Sequence, residues 1–241
     1  MAPRTTADLL RWGGDRLRVG PWRGDAHVAY ISPLPESSPP STEAVRRCTA
    51  LLRERGYSEA VTAALAASEA NAFLAAGFTV RERLHLLAHE LVALNNRPSS
   101  SANVTIRRAR RADRTAALAV DARSFDPFWR LDIAGLDEAV DATPSSRFRV
   151  VEGSEGVTGY AVSGRAGSRG FLQRLAVDPS ARRRGIGSAL VLDGLRWMKR
   201  RGAARAMVNT QERNTEALQL YERLGFRLQP GGLAVLHTVL A

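Results

Sequence analysis

The chain has 241 residues, of which 44% are hydrophobic and 24% are charged, and this is the composition of a globular protein with room for one large or two small domains. No apolar run is long enough to cross a bilayer, and residues 1–11 lack the apolar core of a secretory signal. The single cysteine, Cys48, excludes an intrachain disulfide. We therefore expect a cytoplasmic protein without a membrane partner, in which Cys48 is a buried structural thiol on an amphipathic helix.

The net charge of +11 raises the question of nucleic-acid binding. The basic residues are spread along the chain and are arginines with the exception of Lys199, a preference that indicates the compositional bias of a GC-rich genome. A nucleic-acid-binding protein is therefore kept as an alternative and is not the leading hypothesis.

The first half of the chain alternates strand and helix patterns. It predicts strands over residues 15–19 and 26–31, a proline- and serine-rich loop over 32–41, and a helix over 42–55 whose cap is Ser41 or Thr42. A strand over 58–65, a short helix over 69–76 and one or two strands over 78–94 follow. Residues 95–102 are polar and contain a proline, and they predict a linker.

The second half predicts a strand over 104–108, a helix from Asp113, a loop over 125–130 and a helix around 136–141. A hairpin of residues 147–152 and 156–164 comes next, and then a buried strand over 171–177 that ends at a turn. The last elements are a helix up to residue 201, a strand over 203–209, a helix that begins at Asn214 and ends at Gly225, and a strand over 233–240.

The turn after residue 177 carries the strongest chemical signal. Gly185 and Gly187 start a helix, whose first turn exposes unpaired N–H groups and the positive end of the helix dipole. Glycine lets a bulky anion approach this backbone, and the preceding arginines add positive charge. The pattern predicts a pyrophosphate cradle, with a plain strand-to-helix turn and solvated arginines as the alternative.

Two motifs occur in order: Arg182-x-x-Gly185-x-Gly187, and then Asn214-x-x-Ala217-x-x-x-Tyr221-x-x-x-Gly225-Phe226. Together they resemble the acetyl-CoA-binding core of the GCN5-related N-acetyltransferase (GNAT) superfamily, in particular the branch of ribosomal-protein alanine N-acetyltransferases. The resemblance implies an α+β fold with a mixed, mainly antiparallel sheet, flanking helices and a splay between two central parallel strands.

An internal repeat is also predicted, because residues 36–94 repeat the order of elements from 171 to 239 and the segment 72–78 matches 220–226. The repeat lacks a glycine pair and arginines in residues 37–41, and Phe73 stands where Tyr221 stands. We therefore predict a degenerate GNAT-like module over residues 1–96, a linker over 97–103 and a catalytic GNAT domain over 104–241.

The resemblance implies acetyl-CoA as the cofactor, coenzyme A as a product and Tyr221 as the proton donor to the departing thiolate. Gln173 and Arg174 stand where many relatives carry a carboxylate, so the base is assigned to Glu212, with Glu152 as another candidate and a solvated loop residue as the alternative reading of Glu212. No metal site is predicted. The residues implied to hold acetyl-CoA are Leu175, Ala176, Val177, Arg182, Arg183, Arg184, Gly185, Ile186, Gly187, Ser188 and Asn214.

The acceptor is expected at residues 125–141, which flank the acceptor cleft in the superfamily. This segment is acidic in a basic chain, and an acidic rim attracts a cationic amine. Asp126, Phe128 and Trp129 are predicted to bind the acceptor, although the two aromatic rings could instead fill the domain interface. The predicted acceptor is a primary amine, with a protein or peptide N-terminus favoured and a small amine such as an aminoglycoside or polyamine as the alternative. A non-catalytic acyl-CoA-binding module is the rival function, and the oligomeric state is left open.

Overall fold

The structure is a computed structural model that describes residues 8–34, 38–94, 104–153 and 156–240. The predicted linker over 97–103 lies outside these ranges, as do residues 35–37 at the start of the predicted repeat. Within the described ranges there are six α-helices, and none of them combines the length and the apolarity that a transmembrane span requires. The helices are α1 (Thr42–Glu54), α2 (Ala67–Ala75), α3 (Asp113–Ser124), α4 (Ile133–Asp141), α5 (Ile186–Arg200) and α6 (Thr215–Arg223).

The strands alternate with these helices along the chain. They are β1 (Asp8–Trp12), β2 (Asp15–Pro21), β3 (Val28–Pro33), β4 (Glu59–Thr62), β5 (Thr79–Glu90), β6 (Ile106–Arg108), β7 (Ser145–Gly153), β8 (Gly156–Ala166), β9 (Arg169–Val177), β10 (Arg205–Gln211), β11 (Arg227–Leu228) and β12 (Leu233–Val239).

Two compact units share these elements. Among the described residues, unit 1 holds those up to Leu86, those of Asn209–Arg213 and those from Gln229 onwards, whereas unit 2 holds Leu87–Val208 and Asn214–Leu228. Unit 1 therefore takes segments from both ends of the chain, whereas unit 2 consists of two segments from between them. The predicted modules over 1–96 and 104–241 were defined by an internal repeat and by catalytic motifs as well as by compactness, and they stay a prediction.

Unit 1 contains strands in the order β1-β2-β3-β4-β12-β5. Its neighbouring strands are antiparallel except for β3 and β4, which are parallel and are connected through α1. The core forms where the apolar face of α1 covers this sheet, with Val45, Cys48 and Leu52 completely buried. Burial raises the pKa of the Cys48 thiol to about 12, so this group is protonated and inert, and the prediction of a buried structural thiol is confirmed.

Unit 2 contains strands in the order β10-β9-β8-β7-β6, with β11 paired to the end of β5. Among the described strand pairs of this unit, β9 and β10 alone are parallel, and α5 connects them. Helix α5 buries Leu190, Leu195 and Met198 in one core cluster, whereas α3 and α4 contribute Val120 and Leu136 to a second cluster. The predicted α+β class with mainly antiparallel sheet strands and flanking helices is confirmed.

Candidate active site

The turn before α5 has the geometry of an anion cradle. Arg183 and Gly185 both have left-handed backbones, with φ of 62° and 77°, and α5 begins at Ile186. The first hydrogen bond of this helix runs from the N–H of Ala189 to the carbonyl of Gly185, at 2.9 Å. No backbone N–H of residues 183–188 donates to an acceptor in the part of the chain that the structure describes. Several amides are therefore left for an external anion such as a diphosphate.

Gly187 and Gly159 allow the first turn of α5 to lie close to its neighbours. A Cβ atom on Gly187 would stand 3.3 Å from Leu220 of α6 and 3.8 Å from Val177 of β9. A Cβ atom on Gly159 of β8 would stand 2.9 Å from Ile186. The cradle is thus held against β8, β9 and α6 by packing that side chains at these glycines would disturb.

The arginines of the turn already have an anionic neighbour. Arg183 lies 2.9 Å from the Glu216 carboxylate of α6, and Arg182 lies 3.6 Å from it. Arg183 is 86% exposed, so its ion pair is screened by water and contributes little to stability. The predicted roles of Arg182, Arg183 and Arg184 toward a diphosphate stay predictions, and the first two would share their charge with Glu216.

Strands β9 and β10 separate after a short pairing. The parallel ladder joins Arg205, Ala206 and Met207 to Arg169, Gly170 and Phe171, which is three of the nine residues of β9. Beyond Phe171, β9 stays paired with β8 on its other edge. The splay that the resemblance implied is therefore present in unit 2.

Backbone groups of β9 point out of this ladder. The N–H of Asp178 donates to the carbonyl of Thr158 in the β8 segment. Because backbone groups alternate in direction along a strand, those of Ala176 also point toward β8. The N–H and C=O groups of Leu175 and Val177 point to the opposite edge of β9. The carbonyl of Val177 accepts a bond from the Ser124 hydroxyl at 3.1 Å. Of the three predicted pantetheine contacts, Leu175 and the N–H of Val177 have the required direction, whereas Ala176 does not.

Helix α6 carries the other two predicted residues, Asn214 and Tyr221. The Asn214 side chain caps α6 by accepting from the N–H of Ala217 at 3.1 Å. Tyr221 is 5% exposed, and its ring lies 5.5 Å from that of Phe226. Burial raises the pKa of Tyr221, and the positive charge of Arg174 lowers it in part. The phenol therefore stays protonated at neutral pH, as a proton donor must.

Neither acidic candidate for the base has a supporting environment. Glu152 on β7 accepts from Arg107 at 2.8 Å, and this hydrogen bond lowers the pKa of Glu152, so the carboxylate is a weaker base. Glu212 is exposed and belongs to unit 1, where its N–H donates to the carbonyl of Arg83. Glu212 as the base remains a prediction.

The predicted acceptor segment contains α4 and a 3₁₀ turn over Pro127–Trp129. The rings of Phe128 and Trp129 are half-buried and contact each other edge to face at 5.0 Å, and Asp126 is exposed. Two acids of the supposed rim have structural roles, because Asp132 caps α4 and Asp137 is paired with Arg114. The acidic rim is therefore weaker than the composition indicated.

Sequence reasoning missed one feature beside this segment. Asp121 of α3 is completely buried and binds Arg174 of β9, at 2.7 and 2.8 Å. Arg174 was noted only as a residue where a carboxylate was expected. The apolar-face pattern of α3 gave no reason to place an aspartate in the interior, although a buried charge always needs such a partner.

Comparison with known proteins agrees with this geometry. The model of the Acetyltransferase (GNAT) family matches residues 114–226. The mycothiol acetyltransferase of Saccharomonospora viridis is 34% identical over 47% of this chain and 42% of its own length. The mycothiol acetyltransferase of Thermobispora bispora is 29% identical over 90% of this chain and 79% of its own.

Similarity of structure extends over both units. A tandem GNAT protein from the clavulanic acid biosynthesis pathway superimposes with a TM-score of 0.72 at 13% identity, over 100% of this chain and 85% of its own. Residues 114–226 therefore match the GNAT acetyltransferase family, and the likeness to the tandem GNAT protein shows that the chain has a GNAT fold. The finer resemblance to the ribosomal-protein alanine branch stays a prediction.

Proposed function

We propose that the protein is an N-acetyltransferase that transfers an acetyl group from acetyl-CoA to a primary amine. The observation that carries the proposal is the set of unpaired N–H groups at residues 183–188, at the end of a strand that separates from its parallel neighbour. Acetyl-CoA supplies an activated thioester. The free edge of β9 would align its pantetheine, and the first turn of α5 would bind its diphosphate.

In this proposal the buried Tyr221 phenol protonates sulfur when the amine has attacked and the carbon–sulfur bond breaks. A phenol is a weaker acid than a thiol. Burial raises the pKa of Tyr221 further, and the charge of Arg174 offsets part of that rise. The amine must arrive neutral, which is easier for an α-amino group with a pKa near 7.7–8.0 than for a lysine near 10.4. The α-amine therefore reduces the need for a protein base.

The acceptor has two candidate classes. The scarcity of a base favours an α-amine such as a peptide N-terminus. The names of the two curated relatives instead favour a small molecule, the des-acetyl form of mycothiol. A cytoplasmic location also stays a prediction.

The test has two steps. Calorimetric titration with acetyl-CoA should show binding, and its absence at millimolar ligand would reject the proposal. Purified protein with acetyl-CoA is then offered N-terminal peptides, lysine peptides, aminoglycosides, polyamines and des-acetyl mycothiol, with acetylated product measured by mass spectrometry. Binding of acetyl-CoA without any acetylated product would support the rival function of a non-catalytic acyl-CoA-binding module.

A further inference from the structure

The buried pair of Asp121 and Arg174 is part of a polar cluster in which both Asp121 oxygens accept two hydrogen bonds. One oxygen of Asp121 accepts from Nε of Arg174 at 2.7 Å and from the hydroxyl of Tyr160 at 2.6 Å. The other accepts from a terminal nitrogen of Arg174 and from the N–H of Leu131, both at 2.8 Å. A carboxylate has about four lone-pair sites, so Asp121 has no acceptor capacity to spare.

Arg174 reaches this cluster because β9 has a bulge. Arg174 is opposite Val162 and Leu172 is opposite Ser163, so Gln173 is the extra residue of β9. The bulge turns Arg174 toward α3, whereas Leu172 and Leu175 both contribute to the core on the α5 side. Regular alternation would have placed Arg174 on the same face as Leu172, among apolar side chains.

The same guanidinium holds the segment between α3 and α4. A terminal nitrogen of Arg174 donates to the carbonyl of Trp129 at 2.7 Å, and its charged group lies 3.5 Å from the centre of the Phe125 ring. Asp121 fixes the other end of the segment through the N–H of Leu131. Residues 125–131 are therefore tied at their start, middle and end to a single ion pair.

We infer that Arg174 is a positioning residue that holds residues 125–131 against β9 and thereby sets the affinity for the amine acceptor. The inference rests on the proposed function, because it gives this segment the acceptor. Arg174 lies on the strand assigned to the pantetheine, and its effect on the pKa of Tyr221 places it within electrostatic reach of that phenol. The ion pair would thus keep the acceptor segment and the thioester strand in register.

Lysine is not an adequate substitute for Arg174 in this arrangement. The guanidinium uses a planar fork to bind both Asp121 oxygens, one further donor direction to bind Trp129, and its flat face to stack on Phe125. An ammonium group has neither the fork nor the flat face. Arg174→Lys therefore keeps the buried charge while it releases the middle of the segment.

The experiment compares Arg174→Lys and the paired replacement Asp121→Leu with Arg174→Met, in which no charge is left unpaired. For both we expect the KM of the acceptor to rise about tenfold or more, the factor that corresponds to loss of a hydrogen bond to a charged group. The dissociation constant of acetyl-CoA should stay within about twofold. Hydrogen exchange of the Leu131 amide should accelerate in the paired replacement, which removes its acceptor.

The matched control is Arg147→Lys, because Arg147 binds Asp193 through a similar two-bond ion pair in the same unit. This variant should lose stability without a change in the acceptor KM. An unchanged acceptor KM in folded Arg174→Lys, or an equal rise in the control, would overturn the inference. If the wild-type protein acetylates no amine, the proposed function fails. The anchoring role of the ion pair is tested separately, because unaltered hydrogen exchange over residues 125–131 in the paired replacement would overturn it.

Discussion

Tyr221 combines two properties that rarely occur together in a tyrosine with only a structural role. Its hydroxyl makes no hydrogen bond to the described part of the chain, although the residue is 5% exposed. A hydroxyl without a partner in the protein is available to a ligand that enters the site.

Replacement of Tyr221 by phenylalanine should lower kcat by about 100-fold, the smaller end of the range for loss of a general acid. The dissociation constant of acetyl-CoA should change little, because the ring and its contact with Phe226 remain. Steady-state kinetics and calorimetry measure the two quantities. Tyr57→Phe removes the hydroxyl of another buried tyrosine as the control, and an equal kcat in the two variants would exclude the assigned role.

His89 makes the stability of unit 2 depend on pH. The ring is 4% exposed, its Nδ1 atom is buried without a partner among the described residues, and it contacts Phe226 edge to face at 5.4 Å. Burial lowers the pKa of His89 below its usual 6.5. The unfolded chain therefore takes up a proton at a higher pH than the folded chain does, and stability is present above about pH 6.5 and is lost as the pH falls.

The free energy of unfolding in urea should accordingly fall more between pH 7.5 and pH 5.5 for the wild type than for His89→Gln, which has no titrating group at this position. This interval lies above the usual pKa values of carboxylates, so Asp and Glu contribute little to it. The other histidines are present in both proteins and cancel in the difference. Parallel curves for the two proteins would contradict the prediction.

At the scale of elements, both ends of α5 have a glycine with a left-handed backbone, but the two ends differ in their hydrogen bonding. Gly185 before the helix has φ of 77°, and Gly202 after it has φ of 83°. The first terminus leaves its N–H groups unpaired, whereas the second closes the helix, and the N–H of Gly202 bonds to the carbonyl of Lys199. A side chain is strained in this conformation at either position.

Gly185→Ala and Gly202→Ala should therefore each cost about 1–2 kcal/mol of stability. Only Gly185→Ala should also weaken acetyl-CoA binding, by roughly tenfold, because relief of the strain rotates the amides that form the cradle. Thermal unfolding and calorimetric titration of the two variants distinguish strain from binding. Equal affinity for acetyl-CoA in both would show that the start of α5 is an ordinary helix terminus.

The ends of the helices and strands show which local sequence signals predicted the structure and which did not. Ser41 and Asn214 cap α1 and α6 as predicted, and both accept from a backbone N–H three residues later. Strand β1 was missed, although Gly13-Gly14 joins it to β2 in a two-residue turn and Trp12 pairs with Asp15. The bulge at Gln173 left no sequence signal, since it depends on the register of β8 against β9.

At the scale of the whole molecule, the two units contain similar local arrangements. Phe73 and Phe78 are 5.3 Å apart, as Tyr221 and Phe226 are 5.5 Å apart, and each pair flanks a left-handed glycine at the end of a helix. In each unit a helix connects two parallel strands. These likenesses support the predicted internal repeat.

The arrangements differ where a cofactor would bind. In unit 1 every residue of β4 is paired with β3, so these strands do not splay. The Asp15 carboxylate accepts from the N–H and the hydroxyl of Ser41, at 2.8 and 2.7 Å, and therefore occupies the positive end of α1. An anion of the protein itself lies where an external one would be expected.

We therefore predict that each chain binds one acetyl-CoA. Calorimetric titration should give a stoichiometry near one, and Gly187→Val, whose side chain would meet Leu220 and Val177, should weaken the whole binding isotherm rather than half of it. A stoichiometry of two, or a residual full-affinity site in the variant, would show that unit 1 also binds the cofactor.

The local and periodic features were readable from the chain alone, because a helix cap, a left-handed glycine or an apolar stripe depends on residues only a few positions apart. These features predicted the cradle at Gly185 and the position of Tyr221 on its helix, and the resemblance carried by the two motifs implied the fold class. The partnership of Asp121 with Arg174 was decided by tertiary structure. It joins residues 53 positions apart through a strand bulge, and a buried charge shows its partner only when the chain has folded around both.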